Sequence, residues 1–167
     1  MRAGIALGSN VGDRLQNLRL ARDRVIGLHC VGGPAKTSRI YETEPVGCEP
    51  ETAPFLNAVM EVTFTIGQSD ELLPELRAIE RAMGRLEHQS RNAPRVIDLD
   101  LLYLDGLQMS NDVQTLPHPR MFERRFVLAP LADFCPDLIL PGQSETVAQL
   151  LAKLPDEPRV VPTGLSF

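Results

Sequence analysis

Lysine is nearly missing from this 167-residue chain, tryptophan is missing altogether, and no apolar run approaches the length of a membrane span. A bilayer-crossing helix needs about 20 consecutive apolar residues, so none is expected here. Met1-Arg2-Ala3 leads into a strand pattern, not into a signal peptide. Cys30, Cys48 and Cys135 are odd in number and widely spaced, with no Cys-x-x-Cys pair. That excludes a disulfide framework and implies reduced thiols in a cytoplasmic compartment. The net charge of −5 argues against general affinity for nucleic acid or anionic membranes, so any anion site must be local. Lys36 and Lys153 are the only lysines, and biased codon supply explains that as well as a functional preference does. The Gly-x-x-x-x-Gly-Lys-Ser/Thr phosphate loop is absent. No repeat, Gly/Ser linker or composition break divides the chain, and its length suits a single domain over residues 1–167.

Against these absences, residues 91–105 stand out: Arg91-Asn92-Ala93-Pro94-Arg95 runs straight into Val96-Ile97-Asp98-Leu99-Asp100-Leu101-Leu102-Tyr103-Leu104-Asp105. Side chains alternate along a strand, so Asp98 and Asp100 share one face while Ile97, Leu99 and Leu101 pack behind them. Adjacent carboxylates repel unless a cation lies between them, and oxygen ligands suit Mg²⁺. Nearby guanidinium groups match phosphate with their planar fork. The combination points to a magnesium nucleotide and phosphoryl transfer. A half-buried strand can also show such carboxylates to water, and the pair alone leaves both readings open.

Periodicity supplies a coarse framework. Ala3, Ile5 and Leu7 alternate in a first strand ending at Gly8-Ser9-Asn10, and Leu15, Leu18, Ala21, Val25 and Leu28 then follow helical spacing behind a start signal in residues 10–13. Lys36 to Thr43 reads as a second strand. A long third strand carries Leu56, Ala58, Met60, Val62, Phe64 and Ile66 on one face, with Asn57, Val59 and Glu61 opposite. A helix capped by Ser69 buries Leu72, Leu76, Ile79 and Met83 and accommodates Pro74 only in its first turn. The Asp98–Leu104 strand follows, then short helices near 123–133 and 145–153. The order β-α-β-β-α-β predicts an α+β, ferredoxin-like sandwich with helices on one face and a C-terminal helical extension. Long irregular segments at 45–54, 85–94 and 111–120 can gather at one sheet edge around a ligand.

Six ordered fragments resemble the 6-hydroxymethyl-7,8-dihydropterin pyrophosphokinase family of folate biosynthesis across nearly the whole chain. They are Leu7-Gly8-Ser9-Asn10, Tyr41-x-Thr43-x-Pro45-x-Gly47, Phe55-x-Asn57-Ala58-Val59, Glu80-x-x-x-Gly84-Arg85, Pro94-Arg95-x-Ile97-Asp98-Leu99-Asp100-Leu101-Leu102, and Pro117-His118-Pro119-Arg120-Met121 with Glu123 to Leu128. Each alone is weak; their order is the signal.

The resemblance implies pyrophosphate transfer from ATP to the pterin hydroxymethyl oxygen, leaving AMP, with two Mg²⁺ ions held by Asp98 and Asp100. Arg85 and Arg95 match the family's loop arginines and complete the catalytic set. Leu101, Thr115, His118 and Arg124 join those arginines as ATP contacts. Phe55 and Phe126 occupy the stacking positions for the pterin, and Thr43, Val46 and Asn57 its edge-reading positions. An Asn amide offers both a donor and an acceptor to such an edge. A metal-binding role for His118 has no support, because His29 and His88 lie at no ligand-like spacing from it. No protein nucleophile or general base is expected, and a monomer is the default. Many members carry arginine where Glu87 stands and glycine where Ala93 stands; altered ATP affinity or loop kinetics is the expectation. The alternative of another class is a non-catalytic ferredoxin-like module that binds a nucleotide or pterin.

Overall fold

The computed structural model describes residues 1–45, 52–64, 69–85 and 93–167, without the side chains of residues 69 and 70. It is a mixed α/β architecture built on an antiparallel sheet, with four α-helices among the described residues. Strand β1 (Arg2–Ser9) leads through Gly12, at φ +67°, to helix α1 (Arg14–Ile26). Asp13 caps α1 by accepting the Gln16 N–H at 3.0 Å, and the helix buries Leu18, Ala21 and Val25. Then come β2 (Val31–Thr37), β3 (Tyr41–Thr43), β4 (Phe55–Phe64), α2 (Ser69–Ala82) and β5 (Asp98–Leu104). The hairpin β6 (Met109–Ser110) and β7 (Thr115–Leu116) precedes a 3-10 turn over Pro119–Glu123, α3 (Arg125–Ala132), α4 (Val147–Lys153) and β8 (Val160–Pro162). The main sheet runs β5-β1-β4-β3-β8, with β2 also paired to β4.

The expected strand from Lys36 to Thr43 is instead two strands. Ser38 breaks it: its N–H donates to the Val59 carbonyl at 2.9 Å, while its hydroxyl accepts the Val59 N–H at 3.0 Å. A side chain thus takes the ladder position a carbonyl would have held. Upstream, Gly32-Gly33-Pro34 shifts the register between Gly32 and Lys36. Ser69 begins α2, and Pro74 lies well inside that helix, not in its first turn.

Two apolar layers flank the sheet. Ala3, Ile5, Leu7, Leu56, Ala58, Met60, Leu99 and Leu101 meet Leu18 and Val25 of α1 and Leu72, Leu76 and Ile79 of α2. On the other face Val59, Leu102 and Tyr103 pack with Val127, Leu128 and Leu131 of α3 and Val147 of α4. Helices therefore cover both faces, because the C-terminal extension folds over the second one. This buries Asn57 and Glu61, which the alternation of β4 turns away from α1. Glu61 is satisfied there by the Tyr103 hydroxyl, which donates to it at 2.8 Å, and by Arg2 at 3.8 Å and Lys36 at 3.7 Å. No described helix is long and apolar enough to cross a membrane, and Cys30 and Cys135 are free thiols.

Strand β1 makes room for this second layer. A Cβ at Gly4 would lie 2.1 Å from Cε1 of the fully buried Tyr103. Gly4→Ala is therefore expected to cost about 1–3 kcal/mol by overpacking. Urea unfolding would register it as a lowered midpoint at an unchanged slope.

Candidate active site

One row of the sheet aligns residues that the sequence keeps far apart. Gly8 of β1 pairs with Asp98 of β5 on one side and with Asn57 of β4 on the other. Directly opposed residues face the same way, so Asp98 and Asn57 flank a position without a side chain. A Cβ at Gly8 would lie 3.0 Å from Oδ1 of Asn57 and 3.9 Å from Cβ of Asp98. The missing side chain lets the Asn57 amide oxygen come close over β1 beside the carboxylate. Asp100 stands two residues along β5, opposite Ala6, on the same face.

A network of arginines surrounds the carboxylates. Asp98 accepts from Arg85 at 2.7 Å and from Arg95 at 3.0 Å. Arg124 approaches Asp100 at 3.5 Å. Burial, and then the neighbouring Asp98, push the Asp100 carboxyl above the usual carboxylate range. An Asp100 carboxyl held up by desolvation and like charge suits a neighbouring cation. Each carboxylate oxygen has a second lone pair, so the guanidinium contacts do not exhaust either group. Among the described residues no group of three or more His, Cys, Asp or Glu could hold a metal alone. Two carboxylates nonetheless fit Mg²⁺, which keeps waters and takes substrate phosphate oxygens as its remaining ligands.

Glu80 was not anticipated as a site residue. Its stripe position on α2 buries it, and it accepts the Leu99 N–H at 2.7 Å as well as a close Arg85 guanidinium contact. Burial pushes its carboxyl up to about 7 against the opposing Leu99 and Arg85 contacts. Asn10 is a second addition: its Oδ1 accepts the Arg95 N–H at 2.8 Å, and its own N–H donates to the Arg95 carbonyl at 3.2 Å. These reciprocal bonds fasten the arginine loop to the end of β1. Neither role was visible locally, since an acid beside a helical stripe normally faces solvent and Asn after a strand normally turns the chain.

Beside the carboxylates lies a cavity of about 620 Å³, bounded by α2, the outer edge of β5 and the β6–β7 turn. Arg85, Asp100, Leu101, Thr115 and His118 line it, whereas Asp98, Arg95 and Arg124 are not among its lining residues. Arg77 and Arg81 line it too and add cationic surface. The His118 ring is held at Nδ1, which accepts the Arg120 N–H at 3.2 Å, and the backbone N–H of His118 donates to the Leu102 carbonyl at 2.7 Å. Burial lowers its pKa, with Asp100 opposing. On the other side of β1 from Asp98, the Asn57 amide donates to the Thr43 hydroxyl at 2.9 Å; neither residue lines the cavity. Phe55 precedes Asn57 on the same strand face, and Phe126 packs into the second layer below Arg124, whose guanidinium carbon is 5.5 Å from its ring centre. Val46, Glu87, His88 and Arg91 lie outside the described residues.

Comparison with known proteins bears on this geometry. The sequence profile of 7,8-dihydro-6-hydroxymethylpterin-pyrophosphokinase matches residues 4–136. A 2-amino-4-hydroxy-6-hydroxymethyldihydropteridine pyrophosphokinase from Bacillus subtilis is 44% identical over 133 residues, covering 80% of this chain and 77% of its own length. The enzyme of the same name from Methylorubrum extorquens is 39% identical over 153 residues, covering 92% and 93%. A mitochondrial folate synthesis bifunctional protein from Pisum sativum is 40% identical, but the chain spans only 26% of its length. Among solved structures, wild-type Plasmodium falciparum HPPK-DHPS with pteroate shares the fold at a TM-score of 0.67 and 15% identity, covering 91% of this chain and 42% of that one.

Proposed function

The chain belongs to the 7,8-dihydro-6-hydroxymethylpterin-pyrophosphokinase family, and from that premise we propose how its residues divide the work of moving pyrophosphate from ATP to 6-hydroxymethyldihydropterin. The transfer itself is the family's reaction, part of folate synthesis. The pterin hydroxymethyl oxygen forms a bond to the β-phosphorus, the bond from that phosphorus to the bridging oxygen breaks, AMP departs and the hydroxyl proton passes to solvent. The observation that supports the assignment is the row Asp98–Gly8–Asn57, which sets a carboxylate and an amide on either side of a position without a side chain.

The cavity against α2 takes ATP, with Leu101, Thr115, His118 and Arg85 in its wall; Arg95 and Arg124, held on Asp98 and Asp100 beside it, reach the phosphates. Asp98 and Asp100 would hold Mg²⁺, two ions in the family's pattern, and the metal would supply electrostatic stabilisation of the charge that develops on the phosphates. Arg85 and Arg95, poised on Asp98, swing their forks onto the transferring group and stabilise it electrostatically. Asn57, Thr43 and Val46 read the pterin edge, and Phe55 and Phe126 take its faces. The strand order fits a ferredoxin-like sheet, and the whole chain acts as one domain and a monomer in a cytoplasmic setting. The non-catalytic alternative is not favoured, because the relatives carry enzyme names over most of this chain.

The test is incubation with ATP, Mg²⁺ and 6-hydroxymethyl-7,8-dihydropterin, with nucleotides separated by chromatography. Pterin-dependent AMP is the expected product; ADP or free pyrophosphate would mean a different transfer. Arg77 and Arg81 add like charges one helical turn apart, an arrangement that weakens a helix unless an anion meets it. Changing both to alanine is expected to raise the KM for ATP by about tenfold and leave the KM for pterin unchanged, as steady-state titration of each substrate would reveal.

A further inference from the structure

Arg14 stands where helix electrostatics disfavours it. It is the first residue of α1, at the positive end of the helix dipole, and no acidic residue shares that first turn. Its side chain turns away from the helix. Nη1 donates to the Glu42 carboxylate at 3.0 Å and to the Pro54 carbonyl at 2.6 Å. Glu42 immediately precedes Thr43, and Pro54 immediately precedes Phe55. The ladder joining β3 to β4 has only three residue pairs, ending at Thr43 opposite Phe55. Arg14 adds a further tie at that end. Alternation turns Glu42 and Thr43 to opposite faces, so the arginine works from the α1 side of the sheet, behind the residues that meet the ring.

We propose that Arg14 is a positioning residue for the dihydropterin: joining Glu42 to the Pro54 carbonyl, it fixes the spacing of Thr43 and Phe55 around the bound heterocycle. The inference rests on the pterin contacts assigned above. A guanidinium fork can serve two acceptors at once in a fixed geometry, whereas a lysine ammonium is a point charge on a flexible stem. Arg14 and Glu42 are 29% and 46% exposed, and exposed pairs add little to folding stability. Their consequence therefore falls on binding geometry.

The experiment compares Arg14→Ala, Arg14→Lys and Asn57→Ala with the unaltered protein. Calorimetry gives the Kd of the pterin, measured with Mg²⁺ and a non-hydrolysable ATP analogue, and separately the Kd of the analogue; thermal melting is followed in parallel. Arg14→Ala should weaken pterin binding on the order of tenfold and shift analogue binding by no more than about twofold. Arg14→Lys should fall between, with both melting temperatures near that of the unaltered protein. Arg14→Lys also serves if the alanine variant does not fold. Unchanged pterin affinity, equal weakening of both ligands, or a binding loss that tracks a drop in melting temperature would overturn the proposal. Asn57→Ala separates the two levels of argument. If it loses pterin while the Arg14 variants do not, the positioning role alone is wrong. If it keeps full pterin affinity, the pterin site has been misassigned and the role of Arg14 falls with it.

Discussion

Asp98→Ala or Asp100→Ala should all but abolish pterin-dependent AMP formation, by 10³-fold or more on the order expected for loss of metal-borne charge stabilisation. The fold should survive both changes. Asp100 is half-buried beside Asp98 with its carboxyl pushed up, so removing its charge relieves repulsion and partial desolvation. Asp100→Asn should therefore melt at or above the temperature of the unaltered protein while losing activity. Asp98 differs, because it neutralises both Arg85 and Arg95. Its loss leaves two guanidinium groups facing each other, although Glu80 still pairs with Arg85. A modest fall in stability is expected there, on the order of 1 kcal/mol. Melting curves run beside the chromatographic assay separate the two effects. Near-normal turnover in either alanine variant at saturating Mg²⁺ would refute the metal assignment.

Arg95→Ala is the second large effect, a fall in kcat on the order of 10²–10³ with pterin affinity changed by less than about threefold. The asymmetry follows from how the residue is held. Asn10 bonds both the N–H and the carbonyl of the Arg95 backbone, so truncating the side chain leaves the loop anchored to β1. Only the guanidinium is lost, and with it the charge directed at the transferring group. Steady-state kcat, together with an equilibrium Kd for pterin, measures the split. Parallel losses in both would mean that Arg95 mainly braces the loop. Asn10→Ala makes the informative contrast, since it removes the side-chain bond to the Arg95 N–H, leaves the backbone bond to its carbonyl, and keeps the charge.

The carboxylate strand could be read from sequence because its information is local. A period of two places Asp98 and Asp100 on one face whatever else the fold does, and β5 spans Asp98–Leu104 as expected. The α1 stripe was legible for the same reason. What escaped was set by distant partners. Glu80 looks like a solvated helix position until Leu99 is brought beside it, and Ser38 gives no sign that its hydroxyl will intercept the Val59 N–H. The buried reverse face of β4 depends on α3 and α4, more than sixty residues downstream along the chain. Strand β8, three residues ending in proline, is too short for any periodicity to register. Arg14 was passed over because its partners lie in β3 and before β4.

The site face of β1 reads Gly4, Ala6, Gly8, each of them small and each pressed from the side by a larger residue of β4 or β5. Growth at Gly4 strikes Tyr103, and growth at Gly8 closes on Asn57. For the protein's descent this makes the strand a one-way door. Variation can accumulate freely on exposed positions of the helices, but a methyl group gained at these alternating positions must be matched at once by a change in a neighbouring strand. Lineages should therefore drift in pairs across β1 or not at all, and the floor of the site should be among the slowest parts of the sequence to change.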